Sequence, residues 1–362
     1  MSLLLSASPA ALVATVMLLS LVVYVLFGGA DYGAGVWDLL ASGPRAARQR
    51  DLIAHAIGPV WEVNHVWLII VIVLLFTGFP AAFSAIMTTL HVPLSLMLIC
   101  VVLRGSAFAF RSYENSAVAR KRWNPVFSIP SVIAPVLLGS VIGAIATGEP
   151  GRAMTSGLPV PLFAAWLKLF PMVVGLFALN IFAFLAAVYL TLETDNADLR
   201  EDFRRRAIIS AVLLGGVAGA VYLLARTDAP AVYQGLSRSP WGWPVRYATG
   251  GLAIANLVAL WLRWYHVARV TAMIQVALIL WGCALAQYPL LVPPDIDIKT
   301  GAAPPMVLKS LLAVVGVGSL ILFPSMYYLF RVFKGHTFLI GWVLRGSTRS
   351  HEQPRAPKPA RP

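Results

Sequence analysis

Apolar residues run along this chain in blocks, at about 10–36, 54–78, 82–104, 126–147, 163–191, 207–225, 248–262, 267–289 and 306–330. Most of them reach or exceed the ~20 residues that a helix needs to cross a hydrocarbon core. A transmembrane β-barrel would instead show segments of ~10 residues with alternating polarity, and no such alternation appears. The pattern predicts an all-α polytopic membrane protein of about nine transmembrane helices. The block at 248–262 is the weakest, because Arg263 follows a short apolar run and the span leans on Trp261, Trp264 and Tyr265 as interfacial anchors. The first block has no positive segment before it and runs on to about Phe27, which reads as a retained helix and not as a removed signal peptide.

Composition agrees with that picture. Of 362 residues, 59% are hydrophobic and 12% charged, about half the ~25% charge of a soluble domain, which excludes a soluble globular enzyme. The net charge of +13 would suggest a nucleic-acid partner on a soluble protein. Here it follows membrane topology instead, and no nucleic acid is implied. With the N-terminus outside, alternate connections collect Arg45, Arg48 and Arg50, then Arg104 to Arg122, then Arg200 to Arg206, then Arg263 and Arg269, and finally the C-terminal end. That is the distribution expected of cytoplasmic loops. Dropping the seventh helix would put the basic C-terminus outside, so nine helices with N-out and C-in is the preferred arrangement. Residues 1–347 read as one integral membrane helical domain, and 348–362 as a basic, Pro-rich cytoplasmic tail without apolar periodicity, a disordered composition. Cys100 and Cys283 sit singly in apolar blocks and read as packing residues.

Acidic groups within membrane spans are rare and point to function by default. Asp31 lies in Gly28-Gly29-Ala30-Asp31-Tyr32-Gly33-Ala34-Gly35 toward the inner end of the first span, where Gly29 and Gly33 form a small-xxx-small face. Glu62 lies in Pro59-Val60-Trp61-Glu62-Val63-Asn64-His65-Val66-Trp67 on the second span, roughly 9–14 Å deep at 1.5 Å per residue. The short connection makes the two helices antiparallel neighbours. Asp31 and the deeper Glu62 are then successive stations for a proton from the cytoplasm, with His65 one turn further on. Asp31 is equally readable as an interfacial acid paired with Arg45 or Arg48. Arg104, near the inner end of the third span, is placed to hold a buried carboxylate such as Glu62, with Trp61 and Asn64 supporting. His65 and His91 are weak candidates for haem ligation. The sequence contains no metal-binding or dinucleotide motif, and Asn180, Asn256, Gln275 and Gln287 are expected to bond between helices.

Taken together, Gly29 to Gly35, Pro59 to Ile69, Phe79-Pro80 and Arg104-Gly105 through Phe110-Arg111 resemble subunit II of the cytochrome bd quinol oxidases. Glu193-Thr194-Asp195, Phe203 to Ala207, and Ala286-Gln287-Tyr288-Pro289 before Pro293-Pro294-Asp295 agree, so the likeness runs from about residue 20 to 295. It implies a heterodimer with a larger subunit I that carries haems b and d and oxidises quinol while reducing oxygen to water. It also implies a location in the bacterial cytoplasmic (inner) membrane and a cytoplasmic proton path through acids at the positions of Asp31 and Glu62. Small single-helix subunits, membrane lipid and a structural quinone or lipid among the helices are further partners that the resemblance leaves open. In some relatives acids stand where Gly28 and Ala109 are found here, and a glycine where Val63 is found. These departures leave the cyanide-insensitive type and the ubiquinol or menaquinol donor open.

The expectation is therefore a subunit of a quinol:oxygen oxidoreductase that scaffolds subunit I and conducts protons, without catalytic or metal-binding residues of its own. An ion-coupled secondary transporter is the alternative, since intramembrane acids and Gly/Pro-interrupted helices suit both.

Overall fold

The computed structural model describes residues 8–57, 61–114, 117–156 and 162–334. The tail expected at 348–362 lies outside the described residues. In chain order the helices are α1 (Pro9–Leu39), α2 (Ala46–Ile57), α3 (Trp61–Gly78), α4 (Pro80–Tyr113), α5 (Ala117–Thr147), α6 (Glu149–Ser156), α7 (Leu169–Leu190), α8 (Ala197–Asp228), α9 (Pro230–Arg238), α10 (Gly242–Trp261), α11 (Tyr265–Gln287) and α12 (Pro305–Lys334). Between α11 and α12 lie two short antiparallel strands, β1 (Leu290–Val292) and β2 (Ile296–Asp297), with Val292 opposite Ile296. The chain divides into a unit that ends at Ser319 and a second that begins at Leu320, whose described part is the last stretch of α12.

Seven of these helices are long and apolar enough to cross a membrane, and α2 with Glu62–Gly78, inclined to each other by 55°, makes an eighth if the pair is one span. The expected seventh span is the one that does not meet this criterion among the described residues. Residues 248–262 do lie in a helix, α10, but its first turns carry Trp243, Pro244, Arg246 and Tyr247, and it is less apolar than the spans.

Local chemistry sets the boundaries. Ser8 caps α1 by accepting the Ala11 N–H at 3.2 Å, with Pro9 at the first helical position, where its missing N–H costs nothing. Asn196 caps α8 through the N–H groups of Asp198 and Leu199, at 3.0 and 3.1 Å. The kink of α4 is at Leu90 (φ −115°, ψ 21°), three residues before Pro93, because a proline inside a helix offers no N–H to the carbonyl four residues back and collides with it.

Helix α1 is the centre of the first unit and packs on α3, α5 and α7. Its closest crossing is with α7. A Cβ on Gly33 would strike the main-chain carbonyl of Phe182, so the two backbones meet there without a side chain between them. Trp37 Nε1 closes the crossing by donating to the Ala183 carbonyl at 2.8 Å. Away from this crossing, Val13, Leu74, Phe79, Ala82 and Leu137 form an apolar core. The end of the bundle that carries Arg45, Arg111 and Arg200, here the basic end, holds the Arg45–Asp202 and Arg111–Asp38 pairs.

Candidate functional site: a buried polar cluster on α1

The side chains of Tyr24, Asp31 and Asp38 recur at intervals of seven residues and so fall on one side of α1. All three are buried. At the middle of this line the Asp31 carboxylate, 7% exposed, accepts a hydrogen bond from Asn64 Nδ2 of α3 at 2.5 Å. Beside it, the hydroxyl of Tyr24, two helical turns before Asp31, donates to that of Tyr32 at 3.4 Å, and the His65 ring lies 6.2 Å from both tyrosine rings. Asp31, Asn64 and His65 thus lie together, with His65 beside the tyrosine pair and Asn64 on the Asp31 carboxylate.

Arg104 of α4 completes the cluster from the other side. It is 2% exposed. Its guanidinium carbon lies 4.5 Å above the Tyr32 ring and 5.4 Å from the Phe127 ring, while Nε donates to Ser131 Oγ of α5 at 3.1 Å. Stacking on desolvated aromatic faces is worth about 2 kcal/mol or more, less than the several kcal/mol that removing a guanidinium from water costs. Arg104 Nη2 makes no hydrogen bond among the described residues, so the cation is held at a net cost. The packing that holds it runs through Gly35, where a Cβ would collide with the Ser131 side chain.

Two expectations are corrected here. Glu62 does not join the cluster: its side chain is exposed on this chain and makes no ion pair among the described residues. Arg104 consequently has Ser131 and two rings as partners, not Glu62. The physical reason is helical phase. Asn64 lies two residues, about 200° of rotation, from Glu62, so turning Asn64 inward to Asp31 turns Glu62 outward. Of the two interfacial partners expected for Asp31, Arg45 or Arg48, Arg45 instead forms a two-pronged pair with Asp202 of α8, at 2.9 and 2.6 Å. The side chain of Trp61 lies outside the described residues. Asn180 and Asn256 bond between helices as expected, to the carbonyls of Ser210 and Ala268 at 3.3 and 2.6 Å.

Asp38 is the residue that sequence reasoning missed. It is 1% exposed, accepts from Arg111 Nη1 at 3.2 Å and from Ser128 Oγ at 2.7 Å, and its main-chain carbonyl takes Arg50 Nε at 3.3 Å. The signal was its distance of seven residues from Asp31, which repeats the face.

A profile of the family described as cytochrome bd terminal oxidase subunit II matches residues 9–333. The chain belongs to that family. A Bacillus subtilis (strain 168) protein named "Putative cytochrome bd menaquinol oxidase subunit II" is 24% identical over 86% of this chain and 91% of its own length. "Cytochrome bd-I ubiquinol oxidase subunit 2" of Escherichia coli (strain K12) is 27% identical over 36% of this chain and 34% of its own length. The fold matches a chain of the bd oxidase from Geobacillus thermodenitrificans with a TM-score of 0.70 at 22% identity, over 90% of this chain and 98% of the other. As a subunit II this is a multi-pass membrane component of a respiratory oxidoreductase complex, in a family that works with haem, quinol and a subunit I. Membership removes the ground for the transporter alternative.

Among the described residues, the two histidines considered for haem ligation lie in unlike surroundings. His65 is half-buried among tyrosine rings, whereas His91 is exposed on α4 with Nδ1 3.0 Å from the Thr88 carbonyl oxygen. The two do not form the paired axial ligands that a b-type haem takes. Among the described residues no group of three His, Cys, Asp or Glu side chains converges on a metal position.

Proposed function

We propose that this chain scaffolds a haem-bearing subunit I of a quinol-oxidising, oxygen-reducing complex in the bacterial inner membrane and conducts cytoplasmic protons toward its oxygen site. The observation that carries the reading is Asp31: a carboxylate 7% exposed, inside an apolar bundle, hydrogen-bonded to a buried Asn64 and neighboured by tyrosine hydroxyls. Such a group is expensive to bury and is suited to taking up and releasing a proton without large motion. Asp31 is the acceptor on the cytoplasmic side, His65 flanks it, and Arg104 and Asn64 position it.

Glu62 fits as the relay that faces outward. An acid exposed on an apolar transmembrane surface is tolerable only where protein or water covers it, so its exposure on the isolated chain supports a place at the contact with subunit I. A cavity of about 390 Å³ near the opposite end, lined by apolar side chains that include Leu18, Leu75, Ile86 and Trp281, suits an acyl or prenyl chain and would hold the structural lipid or quinone.

The test uses the assembled complex. Asp31→Asn and Glu62→Gln should each slow quinol-driven oxygen uptake by about tenfold or more while leaving the haem absorption spectrum intact. Native turnover in both variants would refute the proton path.

A further inference from the structure

Asp38 belongs to no part of the path proposed above, yet its surroundings extend that path to the end of the bundle. Asp31 and Asp38 are two turns apart, about 10 Å along the axis at 1.5 Å per residue, and Asp38 is the nearer to the basic end. The interval between them is polar at each turn. Ser128 Oγ donates to Asp38 Oδ2 at 2.7 Å, and Ser131, one turn along α5 from Ser128, accepts from Arg104 Nε at 3.1 Å. Arg104 in turn lies over Tyr32, the residue after Asp31. Gly35 lets α1 press directly on Ser131 at the midpoint. At the outer end of this line Arg111, the ion-pair partner of Asp38, is 10% exposed while Asp38 itself is 1% exposed, so the pair stands at the border between solvent and interior.

We infer that Asp38 is the proton-uptake group of this chain: the carboxylate at which a cytoplasmic proton first binds on its way to Asp31. The inference rests on the proton-path reading of Asp31. A proton from solvent adds to a carboxylate oxygen of Asp38, which becomes neutral and releases Arg111 Nη1. The proton then leaves for the Asp31 carboxylate, with the hydroxyls of Ser128 and Ser131 standing between, and the charged Asp38–Arg111 pair re-forms. No electron moves in this step. The charged groups that contact Asp38 are Arg111 from α4 at its carboxylate and Arg50 from α2 at its carbonyl, while Arg206 from α8 stacks 5.3 Å over the ring of the neighbouring Trp37. Ser128 is the contribution of α5.

An ion pair that only ties helices together would behave differently, and a charge-balanced double substitution separates the two. Removing one partner of a buried pair leaves the other uncompensated and destabilises strongly, whereas replacing both by neutral groups is often harmless to stability. In the complex with subunit I, Asp38→Asn should slow quinol-driven oxygen uptake by about tenfold, and Asp38→Glu should retain most of the rate. The double variant Asp38→Asn/Arg111→Gln should assemble with a native haem spectrum and remain slow, its rate rising as assay pH is lowered because proton uptake has become limiting. Native turnover in the double variant overturns the inference and leaves a structural pair. Should neither Asn variant assemble, Ser128→Ala decides: it keeps the ion pair, several-fold slower turnover is expected, and a native rate overturns the inference. Asp31→Asn, measured in parallel, separates the two levels. Slow Asp31→Asn with a native double variant refutes Asp38 alone, while native Asp31→Asn refutes the path on which Asp38 depends.

Discussion

Replacing Gly33 by Ala tests whether the contact of α1 with α7 holds the cluster in place. Two effects oppose each other. In a helix interior Ala is favoured over Gly by about 1 kcal/mol. Against this, the added methyl meets the main-chain carbonyl of Phe182, which cannot rotate away as a side chain would, and overpacking of this kind costs about 1–3 kcal/mol. Separating the helices also lengthens the bond from Trp37 Nε1 to the Ala183 carbonyl, now 2.8 Å, and a buried polar group left without its partner costs about 1–3 kcal/mol more. The sum is a net loss of roughly 1–5 kcal/mol once the helix preference is deducted. Gly219 of α8, with open space around its Cβ position, is the control and should be neutral or slightly stabilised by Ala. The assay is thermal unfolding of the purified complex in detergent, followed by the fraction that stays assembled after heating. Gly33→Ala should fail at lower temperature than native and Gly219→Ala should not. If both variants behave as native, the two backbones do not meet at Gly33 and the placement of Asp31 by this crossing is wrong.

Three further outcomes follow from individual contacts. Burial pushes the Glu149 carboxyl up, but the hydrogen bond from Lys168 Nζ at 2.6 Å and the charges of Lys168 and Arg152 outweigh it and hold Glu149 below the usual carboxylate range. Its contribution to stability is therefore full above the unfolded value near ~4.3 and is lost as pH falls through the lowered folded value; acid unfolding of native and Glu149→Gln should differ at neutral pH and converge in strong acid. Arg45→Ala removes a two-pronged pair with Asp202, but Arg45 is 43% exposed, and the loss in a stability measurement should stay within about 1 kcal/mol. Asn64→Leu takes the hydrogen-bond donor from Asp31 and should lower oxygen uptake in the assembled complex with the haem spectrum unchanged; a native rate would show that Asp31 does not need this partner.

Much of the fold was legible in the sequence, because each apolar block is longer than any alternative element and the basic residues cluster between them. The close approach at Gly29 and Gly33 was legible for the same reason: small residues at that spacing in an apolar helix leave room for a neighbouring backbone. What failed to be legible was rotation. In α3 nearly every neighbour of Glu62 and Asn64 is apolar, so the pattern contains no polar stripe to show which side faces inward. Asp202 as the partner of Arg45 was hidden for another reason, since 157 residues separate them and only the packing of α2 near α8 brings them together. Asp38 was hidden by its position: an acid at the end of a span reads as an interfacial residue until Arg111 and Ser128 are seen to enclose it.

Asp31, Asp38, Arg104 and Arg111 stand together within a chain that is otherwise strongly apolar, with the first three no more than 7% exposed and the Arg111 side chain 10% exposed. Stability does not account for them. Well-packed apolar residues in place of a buried ion pair are often neutral or stabilising by about 1–4 kcal/mol, and this chain has no shortage of apolar residues from which to build its core. The proposed role in conducting protons would account for them, because that role needs acids at successive depths and fixed positive charge beside them, whatever the cost in folding. The two accounts part at a measurable point. Neutral, shape-preserving replacements at Asp38 with Arg111 should leave the melting of the complex unchanged or raised while turnover falls. At Gly33, which carries no charge and serves only the crossing, melting and turnover should fall together.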